Sequence, residues 1–282
     1  METTSSFSSR LNVSNNFYFV FIFTISHNFD ISVSTRNVII NENNTFIRKE
    51  CRVVYSTKRI MEIRTYPFGP LQANLYVIAF ESDAIIIDPC VPYQSLGLEE
   101  SKVRGIICTH SHYDHIVEAE NIRSRTGSLI YAYEDEKEAI MDADMNGSSL
   151  FFEALSVSPP IGGLNDGDIL TARDFKIDTK DDFSLTVIHT PGHTYGSMCL
   201  LFKVKTGSED KEYLFSGDTI FAGSIGRTDL GGSMPDMISS IKLLSRLPDD
   251  VIVLPGHGQS TTIGKEKKNN HYFTSINYDD II

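Results

Sequence analysis

Residues 109–115, Thr-His-Ser-His-Tyr-Asp-His, put three imidazoles and one carboxylate into six consecutive positions, an arrangement that core packing does not require. Just upstream, residues 103–108 (VRGIIC) form a β-branched apolar run that predicts a buried strand, so the cluster falls where a strand ends and a loop begins. Such strand ends are where rigid scaffolds present chemistry. His110 and His112 lie two apart while Asp114 and His115 are adjacent, so a tight turn can aim one pair of ligands at one metal ion and the other pair at a second. Imidazole together with carboxylate suits zinc or iron, whereas calcium prefers oxygen alone. The competing reading, a polar loop with accidental histidines, sits badly with a chain holding only 8 His in 282 residues.

A chain of this length that is 41% hydrophobic can bury a large core, in one big domain or two modest ones. The expectation is one catalytic domain plus an appendage. Residues 1–60 contain neither Pro nor Gly, are rich in Asn, Ser, Thr, Phe and Ile, and show no amphipathic period. They carry seven basic against four acidic residues, a net of +3, which leaves −15 for the rest of a chain at −12. They are read as an N-terminal extension, disordered or non-native, with the folded domain spanning 61–282. Within them, residues 17–25 (FYFVFIFTI) are too short to span a bilayer, which takes about 20 apolar residues, so no membrane association is expected. An organellar leader stays open. The acidic balance argues against the basic footprint of a nucleic-acid binder. Cys51, Cys90, Cys108 and Cys199 lack metal-type spacing and read as free thiols of a reducing compartment, which points to the cytoplasm.

From Met61 the pattern is that of a folded domain. Residues 74–80 (NLYVIAF) and 84–88 (AIIID) are two strands joined by Glu81-Ser82-Asp83, a predicted hairpin. Asp88 closes the second strand, either as a turn cap or as a hydrogen-bond acceptor that holds the histidine loop. Residues 114–125 alternate apolar and charged at helical spacing and stop before Gly127, so one helix is expected to start at the metal loop. Residues 158–163 (SPPIGG) mark a loop, and strands resume over 183–189, 197–203 and 213–216. A helix over 235–247, a strand over 251–254 and a closing helix over 263–273 complete a pattern that predicts two sheets with helices outside.

Further candidate ligands stand at the ends of these strands: His193 in TPGHT, Asp218 in GDT and His257 in PGHG. Each lies beside glycines that let backbones approach closely. His189, which ends an apolar run, is read instead as a packed or hydrogen-bonded histidine. Taken together, THSHYDH, the Gly-His at His193, the Gly-Asp at Asp218 and the Gly-His-Gly at His257 resemble the motif signature of the metallo-β-lactamase superfamily, over essentially 61–282. Within it, GPLQANLYVI, FAGSIGRTDLGGS and TTIGKEKKNN are similar to the short glyoxalase II-like hydrolases. The resemblance implies an α+β fold, a four-layer αββα sandwich with a two-metal site at its edge. It implies that His110, His112 and His193 hold one ion, that Asp114, His115 and His257 hold the other, and that Asp218 bridges both. Two divalent cations per chain are expected, zinc ahead of iron or manganese. Lactamases of this superfamily lack the bridging carboxylate, which counts against antibiotic hydrolysis. Larger glyoxalase II enzymes add a C-terminal helical domain that helps grip glutathione, and about 25 residues follow His257 here.

That ligand set carries an expected chemistry. Two cations that share a hydroxide make a nucleophile without a catalytic Ser or Cys, and polarise the carbonyl of a small-molecule acyl thioester such as S-lactoylglutathione. Asp114 both holds a metal and accepts a proton. Arg227 either forks onto a substrate carboxylate or pins its own loop to Asp229. Two alternatives remain: a mononuclear iron persulfide dioxygenase, which resembles this chain in GRTD and would use His110 or His112 with His193 and Asp218, and a non-catalytic or nuclease-type relative.

Overall fold

The computed structural model describes residues 61–151, 154–206 and 209–275, together with two short antiparallel strand pairs near the N-terminus, Asn12–Val13 with Asn16–Phe17 and Asp30–Ser32 with Val54–Ser56. The chain divides into two units, Met1–Arg59 and Ile60–Ile282. Residues 18–25 of the apolar run that begins at Phe17, and Cys51, lie outside the described residues. Among the described residues no helix is long and apolar enough to cross a membrane.

The second unit is built on two six-stranded sheets. The first contains β1 (Glu62–Phe68), β2 (Ala73–Ala79), β3 (Ala84–Ile87), β4 (Val103–Ile107), β5 (Ile130–Tyr133) and β6 (Ile161–Leu164), paired in sequence order across the sheet. β1–β2 and β2–β3 are antiparallel and the remaining pairs parallel. The second sheet runs β7 (Ile169–Thr171), β8 (Asp182–His189), β9 (Met198–Thr206), β10 (Glu209–Gly217), then β13 (Ile252–Pro255) and β14 (Thr261–Thr262). Between β10 and β13 the chain makes a two-stranded ribbon, β11 (Ile220–Phe221) with β12 (Ser224–Ile225).

Side-chain alternation along the strands makes four layers. In β2, Tyr76 and Ile78 join Ile85, Ile87 and Ile107 in a core shared with Leu185, Met198, Leu200, Phe202 and Phe215 of the other sheet. Leu75 and Val77, one residue out of step, face the opposite way onto Ile116, Ala119, Ile122 and Ile140. In β9, Cys199 and Leu201 likewise turn outward onto Met237, Ile241, Leu244 and Phe273. Period-two strands buried on both faces read as continuous apolar runs, which is why β2 and β3 stand out in the sequence. Phe202 is fully buried at the centre of the sandwich, and its truncation to alanine is expected to cost about 3 to 5 kcal/mol. The outer helices are α1 (Tyr113–Ile116), α2 (Ala119–Thr126) and α3 (Lys137–Met141) on one side, and α4 (Met234–Leu244), α5 (Ile263–Asn269) and α6 (His271–Thr274) on the other. This is the αββα sandwich expected.

Four local expectations differ. The single helix over 114–125 is broken at Val117-Glu118, because the Glu118 N–H donates to the Pro89 carbonyl at 2.9 Å and so leaves the helical ladder. The closing helix is broken at Asn270, whose extended backbone lets its side chain cap Tyr272 N–H at 3.1 Å while its amide donates to Ser224 O at 3.0 Å. The stretch read as a loop at 158–163 ends in strand β6. There a Cβ at Gly162 would strike the Tyr131 ring. Strands β9 and β10 also run on to Thr206 and back from Glu209, longer than their apolar centres announce.

Candidate metal centre

The histidine loop leaves β4 at the edge of the sandwich and is held there by Asp88. Its Oδ1 accepts from the Thr109 N–H at 2.8 Å, and its Oδ2 accepts from the Thr109 hydroxyl at 2.9 Å and from His115 Nδ1 at 3.1 Å. Asp88 is buried with φ of 52°, a left-handed conformation tolerated by Asp and Asn. Of its two sequence readings, the hydrogen-bond acceptor is the one observed. His193 arrives from the end of β8, Asp218 from the end of β10 and His257 from the end of β13. Gly256 sits so close behind the site that a Cβ there would strike the Asp218 carboxylate and the His115 ring. At Gly192, φ of 142° and the absence of a Cβ let the first turn of α4 pack against the loop that carries His193.

The structure brings all seven candidate ligands together. His110, His112 and His193 form one group, Asp114, His115 and His257 another, and His110, His115 and Asp218 a third; within each, the ligand atoms lie within 4.8 Å of one another. Asp218 touches imidazoles of both sets, at 3.4 Å from His193, 3.4 Å from His115 and 3.4 Å from His257. Asp114 Oδ2 lies 3.3 Å from His257 Nε2. His189 stays apart, its ring stacked on Tyr133 at 4.2 Å and its Nε2 donating to Tyr195 O at 3.0 Å.

Each imidazole has one nitrogen tied off. His110 Nδ1 meets the Thr109 hydroxyl at 3.0 Å, His193 Nδ1 donates to Arg227 O at 2.7 Å, and His257 Nδ1 donates to Leu71 O at 2.9 Å. His115 uses Nδ1 on Asp88, and His112 uses Nε2 on Leu230 O at 3.3 Å. These bonds set the tautomers and leave Nε2 of four rings and Nδ1 of His112 pointing inward. There the nitrogens meet each other, His112 Nδ1 with His193 Nε2 at 2.8 Å and His115 Nε2 with His257 Nε2 at 3.2 Å. Two lone pairs at such separations repel unless a proton or a cation lies between them. His110 Nε2 and Asp218 Oδ1 are buried without a hydrogen-bond partner, although such groups are normally satisfied. The donor set therefore fits a pair of cations.

The electrostatics agree. Burial opposes charge on His115 and His257, yet the Asp218 carboxylate, with Asp88 for the first and Asp114 for the second, outweighs it. His115 rises well above the ordinary imidazole value and His257 to about 10. Burial and the neighbouring imidazoles hold His110 well below that value and His112 at about 4. Burial also opposes charge on Asp218, but His115 and His257 pull it well below the usual carboxylate range. The carboxylates thus demand positive charge, which protons supply to two imidazoles and cations can supply in their place.

Arg227 is engaged within its own loop: Nε and Nη2 donate to Asp229 Oδ1 and Oδ2 at 2.7 and 2.6 Å. Its carbonyl, not its guanidinium, reaches the site through His193. Thr109, Leu71 and Leu230 were not singled out as site residues by their sequence. Thr109 is signalled only by standing next to His110, and the other two act through backbone carbonyls, which leave no signal in residue type.

A sequence profile described as the metallo-beta-lactamase superfamily matches residues 68–257. The chain belongs to this superfamily. As a superfamily member it is a metallo-hydrolase, of a class that binds divalent metals. It is 33% identical over 224 residues to "Probable metallo-hydrolase YqgX" of Bacillus subtilis, covering 77% of this chain and 99% of that protein. It is 33% identical over 227 residues to hydroxyacylglutathione hydrolase GloC of Haemophilus influenzae, covering 76% and 99%. Among solved structures, the BLEG-1 B3 metallo-beta-lactamase superposes with a TM-score of 0.65 at 33% identity, covering 76% of this chain and all of that one.

Proposed function

We propose that this superfamily member is a two-metal hydrolase of acyl thioesters, the class that includes S-2-hydroxyacylglutathiones such as S-lactoylglutathione. The observation that carries the two-metal reading is Asp218, a buried carboxylate within 3.4 Å of imidazoles from both ligand sets. His110, His112 and His193 hold one cation, Asp114, His115 and His257 the other, and Asp218 serves both; zinc suits this donor set, with iron or manganese as the other candidates. When bound, such a pair supplies Lewis acidity to a carbonyl and lowers the pKa of water toward neutrality.

The protein's own groups do the rest. Burial works against the charge of Asp114, but His257 and His115 outweigh it and keep the carboxyl ionised. Standing in the wall of the cleft, it accepts a proton from the attacking water. Asp88 keeps the proton of His115 on Nδ1, so that ring stays a ligand and not an acid. Neither Cys90 nor Cys108 competes as nucleophile, because burial pushes Cys90 up to about 12 and raises Cys108 well above the ordinary thiol value. The thioester preference draws support from the glyoxalase II-like motifs and from the GloC relative. The substrate is a small molecule; neither a nucleic acid nor a membrane is a proposed partner.

The test is metal analysis of the purified chain together with turnover of S-lactoylglutathione, a β-lactam and a persulfide. Close to two transition-metal ions per chain and hydrolysis of the thioester are expected. A firm stoichiometry of one iron with oxygen uptake on the persulfide alone would replace this reading by the dioxygenase one.

A further inference from the structure

Above the metal centre lies a cleft of about 980 Å³. Leu150, Met145, Tyr195 and Leu71 line it while 72%, 58%, 74% and 51% exposed, and Leu230 and Phe221 complete an apolar rim. Single exposed apolar side chains mean little, but six around one opening mark a surface that binds something apolar. The charged groups of the rim point the same way. Beyond the metal ligands, the acidic side chains Asp135, Glu136 and Asp144 line the cleft, and the one cationic side chain among its described lining is Arg227. That guanidinium is paired through its Nε–Nη2 edge with Asp229, which offsets its charge, while Glu136 is turned inward to accept from the Gly196 N–H at 2.8 Å.

We propose that among acyl thioesters this cleft prefers those whose arms on either side of the reacting carbonyl are apolar and free of negative charge, so that a glutathione thioester, though hydrolysed, is bound and used less well than the same thioester with its carboxylates masked. This rests on the thioester reading above and narrows it. An alkyl arm lying on Leu150, Met145 and Tyr195 takes its own surface and theirs out of water. A carboxylate brought to the same rim finds one cation, Arg227, whose charge Asp229 already offsets, and meets Asp135 and Asp144, both exposed and of like sign.

The test compares one skeleton with and without its charges, using the full zinc-loaded chain. S-hexylglutathione and its dimethyl ester share the hexyl arm and the peptide, and neither can be hydrolysed at sulfur. Calorimetry is expected to find the diester bound about tenfold more tightly or better, since two unpaired carboxylates are relieved. Leu150→Ser and Met145→Ser, at exposed positions where folding is not at stake, should each weaken both ligands by about threefold to fivefold. Asp144→Lys should improve the free acid selectively. S-hexanoylglutathione and its dimethyl ester are then offered as substrates. Equal or tighter binding of the free acid overturns the charge selection, and the thioester reading stands if either thioester is turned over. Turnover of neither overturns the thioester reading and this inference with it.

Discussion

Asp88→Asn is the sharpest probe of how the loop serves the site. Asparagine keeps the shape and tolerates the left-handed φ of 52°, so the backbone has no reason to move. Its carbonyl oxygen can still accept from the Thr109 N–H. Its amide, however, now faces His115 Nδ1–H, which lies 3.1 Å from the carboxylate in the native protein. Two donors then oppose each other in a buried place, which costs about 1 to 3 kcal/mol if the ring stays as it is. The ring escapes by moving its proton to Nε2, and that is the nitrogen turned toward Asp114, Asp218 and His257. Either way the second metal set suffers, and loss of such an orienting partner weakens a metal by about 10- to 100-fold, or about 1.4 to 2.8 kcal/mol. The alanine variant is less informative, because three buried donors lose their acceptor at a cost of about 3 to 9 kcal/mol, which rivals the whole stability of a domain. Zinc competition against a chromophoric chelator reads the result. One class of site should weaken by the stated factor while the His110, His112 and His193 set holds to within a few-fold. Unchanged affinity at both sites would refute the role assigned to Asp88.

Asp218→Ala should be the most damaging single ligand change, because it removes the carboxylate that both sets share; retention of two metals per chain would show that it does not bridge. Metal loading should release protons: with its pKa raised to about 10, His257 is protonated at pH 7 and an incoming ion must displace that proton, so zinc affinity rises as pH climbs from about 6 toward 9. Calorimetry in two buffers of different ionisation enthalpy reads this, and identical heats would count against it. Cys90, Cys108 and Cys199 are buried and free, and burial lifts Cys199 to about 11. Native protein should therefore take up almost no iodoacetamide at these three positions until it is unfolded, and replacing them with alanine or serine should leave the metal count unchanged. A chain starting at Met61 should fold and keep its turnover, as measured by circular dichroism and the thioester assay; an insoluble or inactive product would place the domain boundary further upstream.

The seven proposed ligands were legible in the chain because metal chemistry admits few residue types and because strand ends announce themselves. Each lies within five residues of an apolar run or inside the cluster that follows one, and glycine beside His193, Asp218 and His257 marks the close approach of backbones. The strands of the sandwich were legible for a related reason, since burial on both faces leaves the runs at β2 and β3 almost wholly apolar, with only Asn74 and the Tyr76 hydroxyl as polar groups. The helix breaks at Glu118 and Asn270 were not, because each is decided by a partner outside its own helix, Pro89 O in one case and Ser224 O in the other. Which ring nitrogen each histidine presents was equally hidden. His257 is oriented by a carbonyl 186 residues away and His112 by one 118 residues away, and a backbone carbonyl is the same whatever residue bears it. The fork of Arg227 on Asp229 is one of the two readings its sequence allows, and the apolar rim of the cleft completes the list of what the sequence hides. Local sequence determines what each residue can do, but only the packing of distant segments decides which group is already partnered and which is left facing the substrate.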